Sequence, residues 1–572
     1  MFLEDVLEKN RIFKEQWEEN CSLMPGANDL KANNRSGIEL KSIYTPDDIM
    51  KMDYKDIGHP GGYPFTRGNY PLHYQVIPFM MLQGYGFGTA EDTRKRRDWL
   101  SKLGSRLHVG SEEDLTTTFV LALDLPTQRG LDPDDPAARG RIGDCGLNIS
   151  TVEDFEPLFK GLPLDKIFTV LIGFDATLVL NALYAAYVMD VRKESLSNVF
   201  IGPCNYYYHQ WAWDTIAFPP KVAMKLQAET MKFILENCPK SLHTQVEGYN
   251  VGDAGATPVQ EVAFNIAAVI TMMEYAKEVG LDMDEVAQRF YVHPHVGLNL
   301  FEEIAKFRAS RRLWAKIFKE RFGCRRPESL QYKIWASQTA GVELTAQEPL
   351  NNIIRTTIMA VAAMLAGVEG MWIASYDEAL GIPTEEAVQV AVRTYQILSE
   401  ETDIPYVTDP LGGSYYIEWL TNRMEEEITG LIKKMDDIGG YMKCWESGWI
   451  RSEVENSAYR RLKGIEKGTI TKVGMNKYRI EDSPGLKVFR PPQDTGERAV
   501  ERVRRYREER NHEGTKVALE KVKEAALQIE ENWPDSCGRL MPALIEAARA
   551  GATLGEMHCI LREVFGYGYY SG

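Results

Sequence analysis

Eight short β-rich runs, separated by helical patterns at a spacing of about 30–50 residues, constrain this chain more than any other feature. They lie at 116–126, 166–174, 198–203, 242–249, 288–294, 332–339, 370–375 and 405–410. Long helical patterns stand between them, at 220–237, 258–280 and 301–323 among others. Eight consecutive βα units predict an α/β fold, a (β/α)8 TIM barrel, over residues 111–440. No GxGxxG or P-loop signature favours an open doubly wound sheet instead. Before the barrel, residues 1–110 read as an N-terminal helix followed by an extended segment, rich in Gly, Pro and Tyr at 59–75, that wraps a folded body. After it, residues 441–572 turn to charged helices.

Charge narrows the partners. Sixty-six basic and 82 acidic residues leave a net charge of −16, a field that repels nucleic acid and acidic membranes. The arginine-rich stretch at 504–510 mixes both signs and reads as a solvated or interdomain helix face. No run of 18 apolar residues predicts a membrane span, and the acidic start is unlike a secretory signal. The eight cysteines are widely spaced, with no CxxC, which points to reduced thiols and a cytoplasmic location.

In such a barrel chemistry sits at the C-terminal ends of the strands. The residues there include Asp124, Gln128, Asp175, Cys204, Tyr206, Tyr249, Asn250, His293, His295, Gln338, Glu378 and Asp409. His293 and His295 form the best metal candidate, but no third ligand motif stands beside them, so no metal site is assigned. Asp134 and Asp135 follow a Pro-rich turn and read as turn and capping residues. The aromatic run 206–208 suits either barrel packing or a substrate cavity.

Co-linear blocks then become recognisable: PFTRGNYP (64–71), DLPTQRGLDPDDP (124–136), GYNVGDAGAT (248–257), EIAKFRASRRLWA (303–315), LTAQEPLNN (344–352), YDEALGIPTEEA (376–387), DPLGGSYYIE (409–418) and VGMNKYR (473–479). Over roughly 60–570 the chain resembles the catalytic part of adenosylcobalamin-dependent acyl-CoA mutases. The cobalamin-binding DxHxxG motif of that family is missing from this sequence. The resemblance therefore implies a large subunit, paired with a small cobalamin-binding subunit that supplies the cobalt ligand, as a heterotetramer. It implies a radical carbon-skeleton rearrangement in which the cofactor carries the difficult chemistry and the protein positions substrate and excludes water. It also implies an acyl-CoA threaded along the barrel axis, past small side chains such as Thr116, Thr117, Thr118, Thr244, Ser337 and Thr339.

Site residues carry over by position. Tyr249 matches a tyrosine that presses on the adenosyl group, Glu378 an acid that holds its ribose, and Gln338 a glutamine near the cofactor, with Gln128 assigned alongside them. Arg289 and Tyr70 match CoA contacts, and Tyr206 and His293 are assigned to the substrate. Departures stand beside them. Asn250 replaces a histidine that bonds the thioester carbonyl, Pro203 replaces a glutamine, and Ile77 and Leu82 replace arginines near CoA. Gly84 falls where methylmalonyl-CoA mutase has a tyrosine, and Lys225 where it has an arginine that binds the substrate carboxylate. Extra room and a retained positive charge predict a bulky, carboxylated substrate, an aryl- or alkylsuccinyl-CoA. A small acyl-CoA and a catalytically silent binding subunit are the alternatives.

Overall fold

The computed structural model describes residues 2–23, 32–104, 117–204, 209, 218–338, 341–480 and 488–567. Its architecture is mixed α/β, dominated by helices around parallel strands. After a small antiparallel pair, β1 (Ala32–Asn33) and β2 (Glu39–Leu40), every strand pair is parallel. β3 (Met80–Leu82) and β4 (Gly84–Tyr85) are two halves of one run. They precede β5 (Thr117–Ala122), β6 (Ile167–Ile172), β7 (Phe200–Pro203) and β8 (Thr244–Glu247). β9 (Phe290–His293), β10 (His295–Val296), β11 (Trp335–Gln338) and β12 (Gly370–Trp372) complete the set. One sheet runs β4-β5-β6-β7, another β10-β11-β12-β3, and β8 pairs with β9.

Seven of the expected strands lie where the sequence puts them. The run 405–410 does not: Ile404–Tyr406 is a 3-10 turn, because Pro405 fixes φ and has no N–H for a ladder. The missing neighbour is the run 80–85, expected in the wrapping segment. It pairs with β12 on one side, Met80 opposite Gly370, and with β5 on the other, Gly84 opposite Val120.

Strand parity sorts the side chains. Phe119, Leu121, Ile167, Leu171, Ile201, Val246, Val292 and Met371 pack outward into the large core shared with the helices. Their alternates Val120, Phe168, Val170, Ile172 and Phe200 form a separate cluster with Trp335 and Trp372 on the inner side of the strands. The helices start and stop where local chemistry requires. Helix Pro258–Glu278 opens on a capping box between Thr257 and Gln260 with Pro258 in its first turn, and helix Leu300–Phe322 ends at Gly323, φ +70°. Segment Phe174–Val191, 18 residues at mean hydropathy 1.2, is long and apolar enough for a membrane span, unlike the sequence expectation. It is 83% buried within the protein, as a core helix is.

The block 303–315 proves to be a fastening strip. Lys306 pairs with Glu261 and Glu303, and Arg308 with Asp409 and Glu418. Arg311 donates to the carbonyls of Phe65, Thr66 and Ala366, and Arg312 to Asn422. Four separated stretches, at 65–66, 261, 366 and 409–422, are thereby tied to one helix. The 504–510 stretch is likewise an internal surface: Arg507 bonds Asp132 and Asp134, and Arg510 bonds Glu556. Asp135 caps Ala137 N–H, the turn role its sequence predicts. All eight cysteines are free thiols.

Candidate active site

The C-terminal ends of β8, β9 and β11 bring four polar side chains together. Parity aims Gln245, Glu247, His293 and Ser337 to the inner side, since their neighbours Val246, Val292 and Ala336 face the core. His293 Nδ1 lies 2.8 Å from Gln245 Nε2 and 3.1 Å from Glu247 Oε2, and its Nε2 lies 2.9 Å from Ser337 Oγ. Gln245 Nε2 also donates to Glu247 Oε2 at 3.0 Å, and Cys204 Sγ to Gln245 Oε1 at 2.9 Å. Glu247 is fully buried, so its two oxygens need these donors. The second oxygen accepts from Asn250 N–H at 2.9 Å, which starts the short helix Tyr249–Asp253. Tyr249 stacks on the His293 ring, centroids 5.5 Å apart. Burial, and then Asp253, Glu378 and Glu247, push the Tyr249 phenol well above its usual range. It stays a neutral hydroxyl. Burial also raises Glu378 to about 7 against the opposing Ser375 N–H bond, with Asp377 and Asp253 adding to the rise.

Beneath this cluster the inner face is aromatic. Phe168 packs on Phe200 at 4.3 Å and edge-on to Trp335 at 5.0 Å, and Tyr291 lies 5.1 Å from Trp335. Trp372 leans across Gly84: a Cβ there would lie 1.9 Å from the indole. Gly84 therefore exists to admit that ring and opens no space for a large substrate. Phe168 similarly lies across Gly202, where a Cβ would meet it at 2.6 Å. The cavity left among Val120, Phe168, Gln245, His293, Trp335 and Trp372 holds about 30 Å³.

The remaining assignments divide. Tyr70 and Arg289 lie at the opposite, N-terminal strand ends. Tyr70 follows Asn69, which bonds Tyr332 O and Glu369, and Arg289 donates to Cys238 O and Ser241 O. Gln338 faces outward, bonded to Thr356 O and Ala374 N, and Gln128 donates to Leu123 O. Lys225 is not at the strand ends. It sits on helix Pro220–Asn237, donates to Ile529 O at 2.9 Å and lies over Trp533, against the C-terminal helices. A lysine on a helix faces whatever that helix face packs against, and here that is another helix. Thr244 likewise points outward, accepting from Gln227. Tyr206, Thr116 and Thr339 lie outside the described residues.

His293 and His295 part company at Pro294: the first joins the cluster, the second packs on Gly252. Among the described residues no group of three His, Cys, Asp or Glu is placed to hold a metal. Gln245 and Glu247 were not singled out from sequence. Their signal was the polar–apolar alternation in 244–247. A second, larger cleft of about 880 Å³ opens between the 133–145 loop, Gly381–Ile382 and residues 488–504, with Cys145 on its wall, its thiol raised by burial and then by Asp144 and Glu378.

Comparison with known proteins gives one consistent result. A family described as methylmalonyl-CoA mutase matches residues 33–567. The chain is 34% identical to the 2-hydroxyisobutanoyl-CoA mutase large subunit of Aquincola tertiaricarbonis, over 92% of this chain and 91% of that one. It is 33% identical to the methylmalonyl-CoA mutase of Rhizobium meliloti, over 93% and 72%, and 32% identical to the human mitochondrial enzyme, over 94% and 69%.

Proposed function

The chain belongs to the methylmalonyl-CoA mutase family, and from that premise we propose that it is the large subunit of an adenosylcobalamin-dependent isomerase acting on a small acyl unit. The observation that carries the size is Trp372 across Gly84 above a 30 Å³ cavity. It replaces the bulky aryl- or alkylsuccinyl reading with the isobutyryl, hydroxyisobutyryl or methylmalonyl class. Lys225, bonded to Ile529 O, supplies no carboxylate contact.

The strands are read as one closed (β/α)8 barrel. In support, β3 and β4 join the two four-stranded sheets, Leu242 N–H bonds Ile201 O between β7 and the β8 run, and Val292 N–H bonds Lys333 O. The residues present suit the cofactor. The 880 Å³ cleft admits a large macrocycle, and Glu378, partly exposed beside it, offers a carboxyl oxygen to sugar hydroxyls. When bound, adenosylcobalamin supplies radical hydrogen abstraction. The chain's own residues do the rest. Tyr249, stacked on His293, closes over the acyl unit, and the His293–Ser337–Gln245 set holds a carbonyl by hydrogen bonds without becoming a strong acid. A small cobalamin-binding subunit completes a cytoplasmic heterotetramer. Its support is the large-subunit name of the Aquincola relative.

The test reconstitutes the chain with a cobalamin-binding small subunit and adenosylcobalamin, and offers isobutyryl-CoA, 2-hydroxyisobutyryl-CoA, methylmalonyl-CoA and phenylsuccinyl-CoA. Isomerisation of one of the small esters alone is expected. Turnover of phenylsuccinyl-CoA alone would restore the bulky reading, and cobalamin binding without any turnover would favour a silent subunit.

A further inference from the structure

A third cleft, of about 420 Å³, shares no residue with the two already described. Four cations line it, Arg35, Arg355, Arg461 and Lys472, against two acids, Glu303 and Glu343. They converge from distant segments: the β1–β2 turn, helix Asn351–Leu365, helix Trp449–Glu466 and the stretch that follows that helix. Glu303 is matched by the buried Lys306 at 2.6 Å. Nearby Glu302 is held by the Arg35 and Ser36 N–H groups, and Glu348 takes the Asn351 amide. Within the lining, Glu343 alone is left to face the four cations. Arg35 reaches it at 3.2 Å, Arg461 at 3.3 Å and Lys472 at 3.6 Å, while Arg355 bonds only neutral groups, Thr345, Asn352 and the Val473 carbonyl. Burial, opposed by Glu343 but reinforced by Arg461 and Arg355, brings the Lys472 ammonium down to about 8. Donors remain for a ligand. Arg461 spends one terminal nitrogen on Val342 O and Glu343, its other nitrogens make no hydrogen bond among the described residues, and 20% of its side chain is exposed. Leu298, Ile354, Ile470 and Val473 give the same cleft an apolar side.

We infer that this cleft is a second ligand site, for a small organic molecule with a compact dianionic head, a phosphate or a pair of carboxylates. Guanidinium forks bind either oxyanion through paired hydrogen bonds, and a surplus of buried cations gains most from an anion that enters with its charge. The apolar side takes a short carbon body, and the volume suits a ligand of metabolite size. Gly297, which continues β10, forms part of the lining. The site therefore opens beside the strand ends that carry His293 and Ser337, without sharing a residue with their cluster. A bound anion would tie the Arg35 turn and the Lys472 stretch to helix Asn351–Leu365, and its binding stands apart from the acyl chemistry of the strand ends.

Titration calorimetry on the full chain, at low and constant ionic strength, tests the site with inorganic phosphate, succinate and adenosine 5′-monophosphate. Saturable one-site binding of at least one probe is expected, weakened at least about tenfold in Arg461→Gln and in Lys472→Met. Glu343→Gln should instead tighten it by about threefold or more, because a competing carboxylate is gone. A cluster that only fastens chain segments would lose stability in that variant and bind nothing. Preference for phosphate upholds the site with a phosphate ester as its ligand, and preference for succinate upholds it with a dicarboxylate. Flat titrations with all three probes, or affinities unmoved in both cation variants, would overturn it. Hydrogen exchange on the wild type decides the matter even if no variant folds. A saturating probe should slow exchange within 461–473, and slowing confined to other regions would overturn the site.

Discussion

Two regions bury polar groups in different ways. On helix Leu300–Phe322, Lys306, Arg308, Arg311 and Arg312 are almost wholly buried and face fixed carboxylates or backbone carbonyls. Burial alone would weaken the charge on Lys306, but Glu261 and Glu303 outweigh it and hold the ammonium above its usual range. At the strand ends, Gln245, His293 and Ser337 make mostly neutral hydrogen bonds around a single carboxylate, Glu247. The strip fastens chain segments and cannot give up a partner cheaply. The cluster can exchange a hydrogen bond for one to a ligand, since neutral bonds swap at small net cost.

The largest effect should come from breaking the strip. Arg308→Ala takes a buried cation from both Asp409, which keeps Arg67, and Glu418, which keeps the Gly413 N–H, and should cost about 3–5 kcal/mol in denaturant unfolding, or prevent folding. The cluster should behave in the opposite sense. His293→Ala should leave the unfolding free energy within about 1 kcal/mol of wild type, while turnover of the best small ester falls about a hundredfold. A large stability loss there would make it a second fastening. Gly84→Ala tests the aromatic face beneath the cluster: the new methyl collides with Trp372, and overpacking of about 1–3 kcal/mol should appear in thermal melts.

Glu378 gives a pH-dependent contrast. Its native pKa, near 7, exceeds the ordinary 4.5, so between those values the native state holds more proton than the unfolded chain. Stability should therefore fall as pH rises from about 4.5 to 7 and level off above it. Glu378→Gln should flatten that slope in melts taken across the window. The smallest effect belongs to Lys225→Ala. The Michaelis constant should not change, with about 0.5–1.5 kcal/mol of stability lost with the Ile529 bond.

Much of this was legible in the residues. Seven strands announced themselves because long β-rich runs between helical patterns leave few alternatives. The run 80–85 was hidden, being two short pieces split at Gln83 and flanked by glycines, with the look of a loop. Tyr249, His293 and Glu378 could be located by their place just after strands, and the structure sets Tyr249 and His293 face to face. Lys225 could not, because its spacing says that it is helical but not what its face of the helix meets.

The sequence by itself determined seven of the strands, the family and most of the residues standing at the strand ends, because periodicity, turn chemistry and long ungapped motifs are local properties. Only the tertiary structure decided which alternate side chains of each strand face inward. A shift of one residue in register exchanges the two faces completely. That choice turned Phe168, Trp335 and Trp372 from ordinary strand residues into an inner aromatic face, and Gly84 from an opening into the seat of a ring.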